Sequence, residues 1–269
     1  AAISRNRALR EAKGRWVAFL DSDDRFEPDF LADLINAMER TGANCAGCGY
    51  YDFWPDGRKE IRSSPLPPGF YKNEEVFNGI IRPLLHDRVE GQNLLNGFIW
   101  RYVYRTDIVK KIKFSGAYLE DEIFLIEYFS LSPSLVTVDK PLCGYYQNPE
   151  SVTHRYLENY VDTFLLSLRN KEKLVEKYHI TGITGWRTHT CWAGLLIAVG
   201  NIFARGRNAG FWQKRRELIN LTHIPEFNSA IAEFIPQNVS GNKKLVVKLI
   251  SMRQYTLLSL LYTIKNLKR

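Results

Sequence analysis

The chain has 269 residues, enough for a large hydrophobic core in one or two domains. Its composition is that of an ordinary globular protein, with 45% hydrophobic and 25% charged residues. The net charge of +8 favours an anionic partner, and nucleotides and membrane surfaces rank above nucleic acid because aromatic and basic residues are not regularly interleaved. Residues 191–204 form the longest nearly uncharged apolar stretch, which is too short for the ~20 residues of a membrane-spanning helix.

The first predicted elements are a helix and a buried strand. Ser4 can cap a helix that runs to Lys13, and Gly14 can end it. Residues 17–20 are a run of apolar residues after Trp16, which is typical of a strand buried on both faces of a sheet. This strand has no earlier strand to pair with, so we expect the beginning of the domain to be missing.

Three aspartates follow at the point where this strand should end: Asp21, Asp23 and Asp24. Ligands of open α/β sheets bind at the carboxyl ends of strands. In extended backbone the side chains of Asp21 and Asp23 leave on the same side. Carboxylates this close repel each other unless a cation joins them, and Mg²⁺ or Mn²⁺ bridging a phosphate suits hard oxygen ligands. Taken alone, the segment fits a solvated turn equally well.

A helix and a hairpin are predicted next. Apolar residues at helical spacing follow Pro28 and end at Gly42, and they are Phe30, Leu31, Leu34, Ile35 and Met38. The segments after this helix are predicted as a strand (43–54), a turn (55–57), a returning strand (58–62), a loop (63–73) and a short helix (74–81).

The cysteines form no complete metal motif. Cys45 and Cys48 have the spacing of a redox pair or of half a zinc site, but no second such pair follows. Together with Cys143 and Cys191, they are interpreted as buried structural thiols of a reducing cytoplasm.

A second group of acids begins a later helix. Glu120, Asp121 and Glu122 precede apolar residues at helical spacing, so they lie at a helix N-terminus. Acids at this position complement the helix dipole, which is the role we favour for Glu120 and Glu122 on spacing alone.

The pattern then changes from alternating elements to helices. Two strands (135–138 and 142–147) precede a single histidine, His154, for which spacing alone favours a structural or exposed role. Helices are predicted over 156–178, 186–204 and 211–221. The chain is therefore divided into an α/β part, 1–155, and a helical part, 156–269.

The last stretch, 243–269, mixes apolar and basic residues. This pattern fits a basic amphipathic helix lying on an anionic membrane face. It also fits an ordinary helix packed on its own domain, and the sequence alone favours this second interpretation slightly.

Four segments together resemble the ordered motifs of inverting family-2 glycosyltransferases of the GT-A fold, the bacterial type that builds capsule, lipopolysaccharide or exopolysaccharide. They are Ser4-Arg5-Asn6-Arg7-Ala8-Leu9 with Ala12-Lys13-Gly14, Phe19-Leu20-Asp21-Ser22-Asp23-Asp24, Trp100 with Tyr104 and Arg105, and Tyr118 to Glu122 followed by Tyr145-Tyr146-Gln147 and Ser151-Val152-Thr153-His154. Each motif is weak alone, but their order is specific. The asparagine and lysine usual after the tryptophan are here Arg101 and Tyr102.

The resemblance implies a Rossmann-like α/β fold with a mostly parallel sheet between helices, followed by the helical region. It also implies that the domain is N-terminally incomplete. Family members begin with strands ending in Pro-x-Tyr-Asn and Asp-Asp-Gly-Ser, which hold the nucleotide base, and neither segment occurs in this sequence.

The resemblance also implies a donor and metal site. Asp23 would ligate Mn²⁺ or Mg²⁺, with Asp21 and His154 as further ligands. Arg5 would lie near the diphosphate of a nucleotide sugar, where a planar bidentate donor suits phosphate. Asp21 would hold the ribose or a metal-bound water. Asp24 and Trp100 are the remaining residues expected to bind the donor.

The implied catalytic residues are Asp121, as the general base that deprotonates the acceptor hydroxyl, and Glu120, which orients the acceptor or a loop. The expected enzyme is a hexosyltransferase that moves a sugar from a nucleotide diphosphate to a saccharide or lipid-linked saccharide, with inversion. It would work in the cytoplasm, with attachment to the inner membrane face left open. The alternatives are a truncated, non-catalytic relative that binds a membrane or a partner, and a nucleotidyltransferase, which also uses strand-end aspartates.

Overall fold

The computed structural model describes residues 1–62, 64, 66–85, 97–147, 156–204, 207–237, 239 and 241–267. The strands are β1 (Trp16–Ala18), β2 (Arg25–Phe26), β3 (Cys45–Phe53), β4 (Lys59–Arg62), β5 (Gly69–Lys72), β6 (Tyr102–Arg105) and β7 (Ser134–Tyr146). The helices of the α/β part are α1 (Ala2–Glu11), α2 (Phe30–Thr41), α3 (Glu74–Val76), α4 (Arg82–Leu85), α5 (Thr106–Val109) and α6 (Glu120–Leu131), with a π-helical segment, Phe77–Ile81, between α3 and α4. The helices of the C-terminal part are α7 (Tyr160–Lys177), α8 (Trp186–Ile202), α9 (Phe211–Thr222), α10 (Pro225–Glu233), α11 (Asn242–Ser251) and α12 (Tyr255–Leu267).

The seven strands form one sheet in the order β1-β6-β3-β7-β2, with β4 added to β3 and β5 added to β7. Only β3 and β7 run parallel, and the other pairs of the described sheet are antiparallel. The expectation of a mostly parallel sheet is therefore wrong. A parallel pair needs a long crossover, which the chain between β3 and β7 provides, whereas β3 and β4 are joined by a tight turn at Gly57 that forces antiparallel pairing.

The strand before the aspartates differs from its prediction. β1 lies at one edge of the described sheet and pairs only with β6 there. It is half-buried and ends at Ala18, and the side chain of Leu20 is exposed. The apolar run indicated burial on both faces, but in this part of the chain an edge position leaves one side of the strand open.

Helices cover both faces of the sheet, as expected for this fold class. On one face α2 packs its buried residues Phe30, Leu34 and Met38 against β3 and β7. Gly42 ends α2 in the left-handed conformation that the sequence indicated, with φ 72°. On the other face α6 packs Phe124 and its neighbours beneath β6.

The C-terminal part is helical, as predicted, and has its own core. Trp192 of α8 is fully buried, and its indole N–H donates to the carbonyl of Phe234 at 2.8 Å. A buried ion pair between Lys171 of α7 and Glu122 of α6, 2.9 Å apart, joins this part to the α/β part. No helix in the described residues is both long and apolar enough to cross a membrane.

The cysteines are buried and free, which agrees with structural thiols. Cys48 on β3 and Cys143 on β7 place their Sγ atoms 3.6 Å apart in the core between the sheet and α2.

Candidate active site

Asn6 fixes the first helix against a distant part of the chain. Its side-chain amide donates to the carbonyl of Phe114 at 2.8 Å, and its Oδ1 accepts from the N–H of Phe114 at 2.9 Å. These two hydrogen bonds resemble the pairing of two backbone peptide groups, and they restrict rotation of the Asn6 side chain. Because Arg5 precedes Asn6, the same two hydrogen bonds help to hold the Arg5 guanidinium over the Phe114 ring, 5.3 Å from its centroid.

Arg5 brings together acids from two distant segments. Its Nη1 donates to Asp121 Oδ1 at 2.6 Å and to Glu120 Oε1 at 3.0 Å. Its Nη2 donates to Asp21 Oδ1 at 3.0 Å. We call these four residues the arginine cluster. The two residues that the sequence assigned to catalysis thus lie beside two that it assigned to the donor.

The two catalytic candidates begin α6, and the residue before them is in an unusual conformation. Leu119, the N-cap of α6, has φ 57° and ψ 42°. This left-handed region costs a residue with a side chain about 1–2 kcal/mol. The Leu119 carbonyl accepts the N–H of Glu122 at 3.0 Å, and the N–H of Gly116 donates to Glu120 Oε2 at 3.1 Å. Backbone strain of this kind concentrates at functional sites.

The environment of Asp121 suits proton transfer. Burial raises the pKa of Asp121 to about 6, against the opposing effect of Arg5 and with smaller contributions from Asp21 and Glu120. Its side chain remains 23% exposed, so a substrate hydroxyl can reach it. A carboxylate with this pKa is largely ionised at neutral pH and is a stronger base than an ordinary aspartate.

The aspartates after β1 form a turn rather than an extended continuation of the strand. The N–H of Asp24 donates to the carbonyl of Asp21 at 3.1 Å. The expectation that extended backbone projects Asp21 and Asp23 to one side is therefore wrong, because a turn rotates successive side chains differently. Asp21 faces Arg5, while Asp23 is exposed and forms no hydrogen bond or ion pair with the described residues.

Asp24 is held at the other end of this turn. Its Oδ1 accepts the N–H of Tyr146 at 2.9 Å, and its Oδ2 is buried without a hydrogen-bond partner in the described part of the chain. Burial raises the pKa of Asp24 to about 6, and the charges of Asp23 and Asp21 add to the effect. The unsatisfied oxygen is therefore a ready acceptor for a ligand hydroxyl.

The described residues contain no group of three His, Cys, Asp or Glu side chains arranged to hold a metal ion. His154, the third expected ligand, lies outside the described residues. The carboxylates of Asp23 and Asp21 supply hard oxygen atoms. This donor set fits a cation held by one or two carboxylates together with substrate phosphates, and it does not form a closed protein site.

Trp100 lies in an aromatic stack in the core. It is 2% exposed, and its ring stacks on Phe98 and Tyr145 with centroid distances of 4.9 and 5.6 Å. The ring is therefore enclosed by core residues in this structure, and a role of Trp100 in donor binding stays a prediction. Its connection to the acidic turn is indirect, because Tyr145 precedes Tyr146, whose N–H binds Asp24.

Sequence reasoning assigned no role to three residues that shape the site. Asn6 belongs to one of the family motifs, but its hydrogen bonds to Phe114 were not predicted. Nothing in the sequence indicated that Leu119 adopts positive φ. Lys171 did leave a signal, since it stands on the apolar face of α7 at helical spacing from Phe164 and Leu168.

Residues 1–112 match the family model for glycosyl transferase family 2. The uncharacterized glycosyltransferase EpsJ of Bacillus subtilis is 24% identical over 154 residues, which are 56% of this chain and 43% of EpsJ. The succinoglycan biosynthesis protein ExoO of Rhizobium meliloti is 32% identical over 106 residues, which are 34% of this chain and 30% of ExoO. The chain thus spans less than half the length of either relative.

A solved structure shares the fold over nearly the whole chain. The crystal structure of S. aureus TarS 1–349 in complex with UDP-GlcNAc matches 98% of this chain and 72% of that one, with a TM-score of 0.55 and 15% identity. Residues 1–112 are therefore similar to glycosyl transferase family 2, and the chain shares a GT-A-like α/β fold that continues into a helical C-terminal region.

Proposed function

We propose that this chain transfers a hexosyl group from a nucleotide diphosphate sugar to a hydroxyl of a saccharide or lipid-linked saccharide, with inversion, in the cytoplasmic synthesis of a bacterial surface polysaccharide. The observation that carries the proposal is the arginine cluster, in which Arg5 joins the acidic turn to the start of α6. The names of EpsJ and ExoO support the class of reaction and product, and the UDP-GlcNAc bound to TarS supports the class of donor.

The proposed base is Asp121. In a single displacement, the acceptor hydroxyl attacks the anomeric carbon from the side opposite the leaving diphosphate and loses its proton to a carboxylate. Asp121 is ionised at neutral pH and partly exposed, and its hydrogen bond to Arg5 fixes its orientation. Glu120, held by Arg5 and by the N–H of Gly116, lies beside it and orients the acceptor.

The proposed donor site lies on the other side of Arg5. A guanidinium donates in a planar fork that suits the oxygens of a diphosphate. Asp21 would hold the ribose. Asp24 Oδ2, buried without a partner in the described chain, would accept a hydrogen bond from a donor sugar hydroxyl.

A divalent cation is part of the proposal. Asp23, with Asp21, would hold Mn²⁺ or Mg²⁺ together with the donor phosphates, and His154 is proposed as a further ligand. When bound, the cation would supply positive charge that stabilises the leaving diphosphate. Asp23, unlike Asp21, forms no hydrogen bond or ion pair with the described residues.

The test measures release of nucleoside diphosphate from a panel of sugar nucleotides with Mn²⁺. Asp121→Asn and Asp23→Ala are expected to lower the rate by at least about a hundredfold, in line with the loss of a catalytic proton acceptor or of charge stabilisation. Asp139→Asn, at an exposed position of β7, is the matched control and should keep the full rate. Near wild-type rates for both site variants would show that the assigned roles are wrong.

A further inference from the structure

The charged residues in the last part of the sequence are all positive. After Glu233 the sequence contains no Asp or Glu, and its charged residues are Lys243, Lys244, Lys248, Arg253, Lys265, Lys268 and Arg269. Lys243, Lys244, Lys248 and Arg253 are exposed and form no ion pair with the residues that the structure describes. The charged side chains that the structure describes on α11 and in the turn after it are therefore all positive and exposed.

The last described helix is apolar on two sides. Its inner side carries Leu258, which is fully buried against the C-terminal core. Its outer side carries Leu257, Leu260 and Ile264, which are 54%, 44% and 51% exposed. These three residues are spaced three and four apart, so they form one stripe along the helix. A helix on a purely water-facing surface normally places polar residues at such positions.

An exposed aromatic side chain lies on the neighbouring helix α9. Arg215 of α9 donates from Nε to Thr256 Oγ1 of α12 at 2.8 Å, which sets the two helices side by side. Trp212, one turn earlier on α9, is 70% exposed. Its ring centroid lies 6.0 Å from the guanidinium carbon of Arg215, which binds Thr256 beside Leu257 at the start of α12. Tryptophan is enriched where a protein surface meets the headgroup region of a membrane.

Apolar side chains also stand among the lysines of α11. Leu245 on α11 and Met252, which directly follows the helix, are exposed on either side of Lys248 in the sequence. We call Trp212, Leu257, Leu260 and Ile264, together with Lys243, Lys244, Lys248 and Arg253, the C-terminal surface. It combines exposed apolar groups with exposed positive charge, the two features by which interfacial helices bind anionic lipid.

We propose that the C-terminal surface binds the face of an anionic lipid bilayer, with α12 lying along the interface. A second copy of the chain is a poorer occupant, because it would bring the same positive charge against this surface. The proposal does not rest on sugar transfer, since the C-terminal surface shares no residue with the arginine cluster.

The test is co-sedimentation of the chain with lipid vesicles. We expect binding to vesicles of phosphatidylethanolamine with phosphatidylglycerol and little binding to vesicles of phosphatidylcholine alone. The triple variant Lys243→Gln, Lys244→Gln, Lys248→Gln should weaken binding by about a hundredfold, since each lysine near an anionic surface contributes about fivefold. The triple variant Leu257→Ser, Leu260→Ser, Ile264→Ser should also lose binding while keeping its fold, because these side chains are already half exposed.

Two controls make the test decisive. Replacing Lys111, Lys113 and Lys173 with Gln makes the same change in net charge at exposed positions elsewhere, and Ile61→Ser removes an exposed apolar side chain from β4. Both should bind vesicles like the wild type. Equal binding by the lysine control and the α11 lysine variant would overturn the proposal. Self-association of the wild type that the serine variant abolishes, without any vesicle binding, would assign the surface to a second copy instead. Neither outcome depends on glycosyltransferase activity.

Discussion

Arg5 Nη1 lies 2.6 Å from Asp121 Oδ1, although 116 positions separate the two residues. The contact joins the first helix of the chain to the first turn of α6. It has two effects on Asp121: it fixes one carboxylate oxygen, and it lowers a pKa that burial alone would raise further. The first helix is therefore part of the catalytic geometry that we propose.

Loss of the Arg5 charge should change the pH dependence of the reaction. Arg5 opposes the rise in the Asp121 pKa, so Arg5→Gln should raise that pKa above about 6. Because the base must be ionised, the acidic limb of the kcat/KM profile should move to higher pH. We also expect kcat/KM at its maximum to fall by about a hundredfold, as when a charged donor to a developing anion is removed.

The control for this measurement lies on the same helix. Arg7→Gln removes an equal charge at an exposed position, so its profile should superimpose on that of the wild type. An Arg5→Gln enzyme with an unshifted acidic limb would mean that Asp121 is not the titrating base.

Removal of the Asp121 charge should make the protein inactive but more stable. The pKa of Asp121 in the folded state, about 6, is above its ordinary value near 3.8. The folded state therefore holds this proton more tightly than the unfolded state, and the stability from this group is lost as pH rises through about 4 to 6. At neutral pH, Asp121→Asn should raise the free energy of unfolding by on the order of 1–2 kcal/mol.

Urea denaturation at several pH values measures this effect. The difference between Asp121→Asn and wild type should shrink as pH falls towards about 4, where the wild-type carboxyl is protonated as well. Asp139→Asn, at an exposed position, should show no such trend. A constant difference across this range would contradict the assigned pKa.

The helices could be predicted from the sequence better than the sheet. Helical spacing and Gly42 report on neighbouring residues, and α2 forms where they indicated. Strand direction depends on partners far away in the chain, and no local pattern showed that β1 pairs with β6. The apolar run at residues 17–20 correctly indicated a strand, but it could not distinguish an edge position from a central one.

In the candidate site, too, some features could be predicted from the sequence and others could not. The order of motifs predicted a site at Arg5, Asp21, Glu120 and Asp121, and the structure brings these four side chains together. The burial of Trp100 could not be predicted in the same way, since the sequence pattern of an aromatic residue does not show whether it faces a ligand or the core. The turn at Asp21 is closed by the backbone hydrogen bond from Asp24, and the Asp21 side chain contacts Arg5; spacing in the sequence predicted neither contact.

Removal of one partner from the ion pair that joins the two parts of the chain should strongly destabilise the protein. Lys171 Nζ and Glu122 Oε2 are 2.9 Å apart, and both side chains are 2% exposed. Lys171→Met deprives the buried Glu122 carboxylate of its ammonium group, which should lower the free energy of unfolding by about 3–5 kcal/mol. Adding Glu122→Gln should restore a large part of this loss, because the charge that lacks its partner is then removed.

An exposed pair on the same helix provides the comparison. Lys177 and Glu127 are 2.8 Å apart, but the Lys177 side chain is 57% exposed. Lys177→Met should therefore cost no more than about 1 kcal/mol. A Lys171→Met, Glu122→Gln double variant that is less stable than Lys171→Met alone would show that the pair is not the source of the effect.

Asn6 should affect the reaction only through Arg5. Asn6→Ala removes both hydrogen bonds to the backbone of Phe114, so the free energy of unfolding should fall by about 1–2 kcal/mol. The released helix would no longer hold Arg5 against Asp121, and kcat/KM should fall by about tenfold. In a double-mutant cycle, Asn6→Ala should have little further effect on kcat/KM once Arg5→Gln is present, whereas its effect on stability should persist. Fully additive losses in kcat/KM would mean that Asn6 acts on the site by a route independent of Arg5.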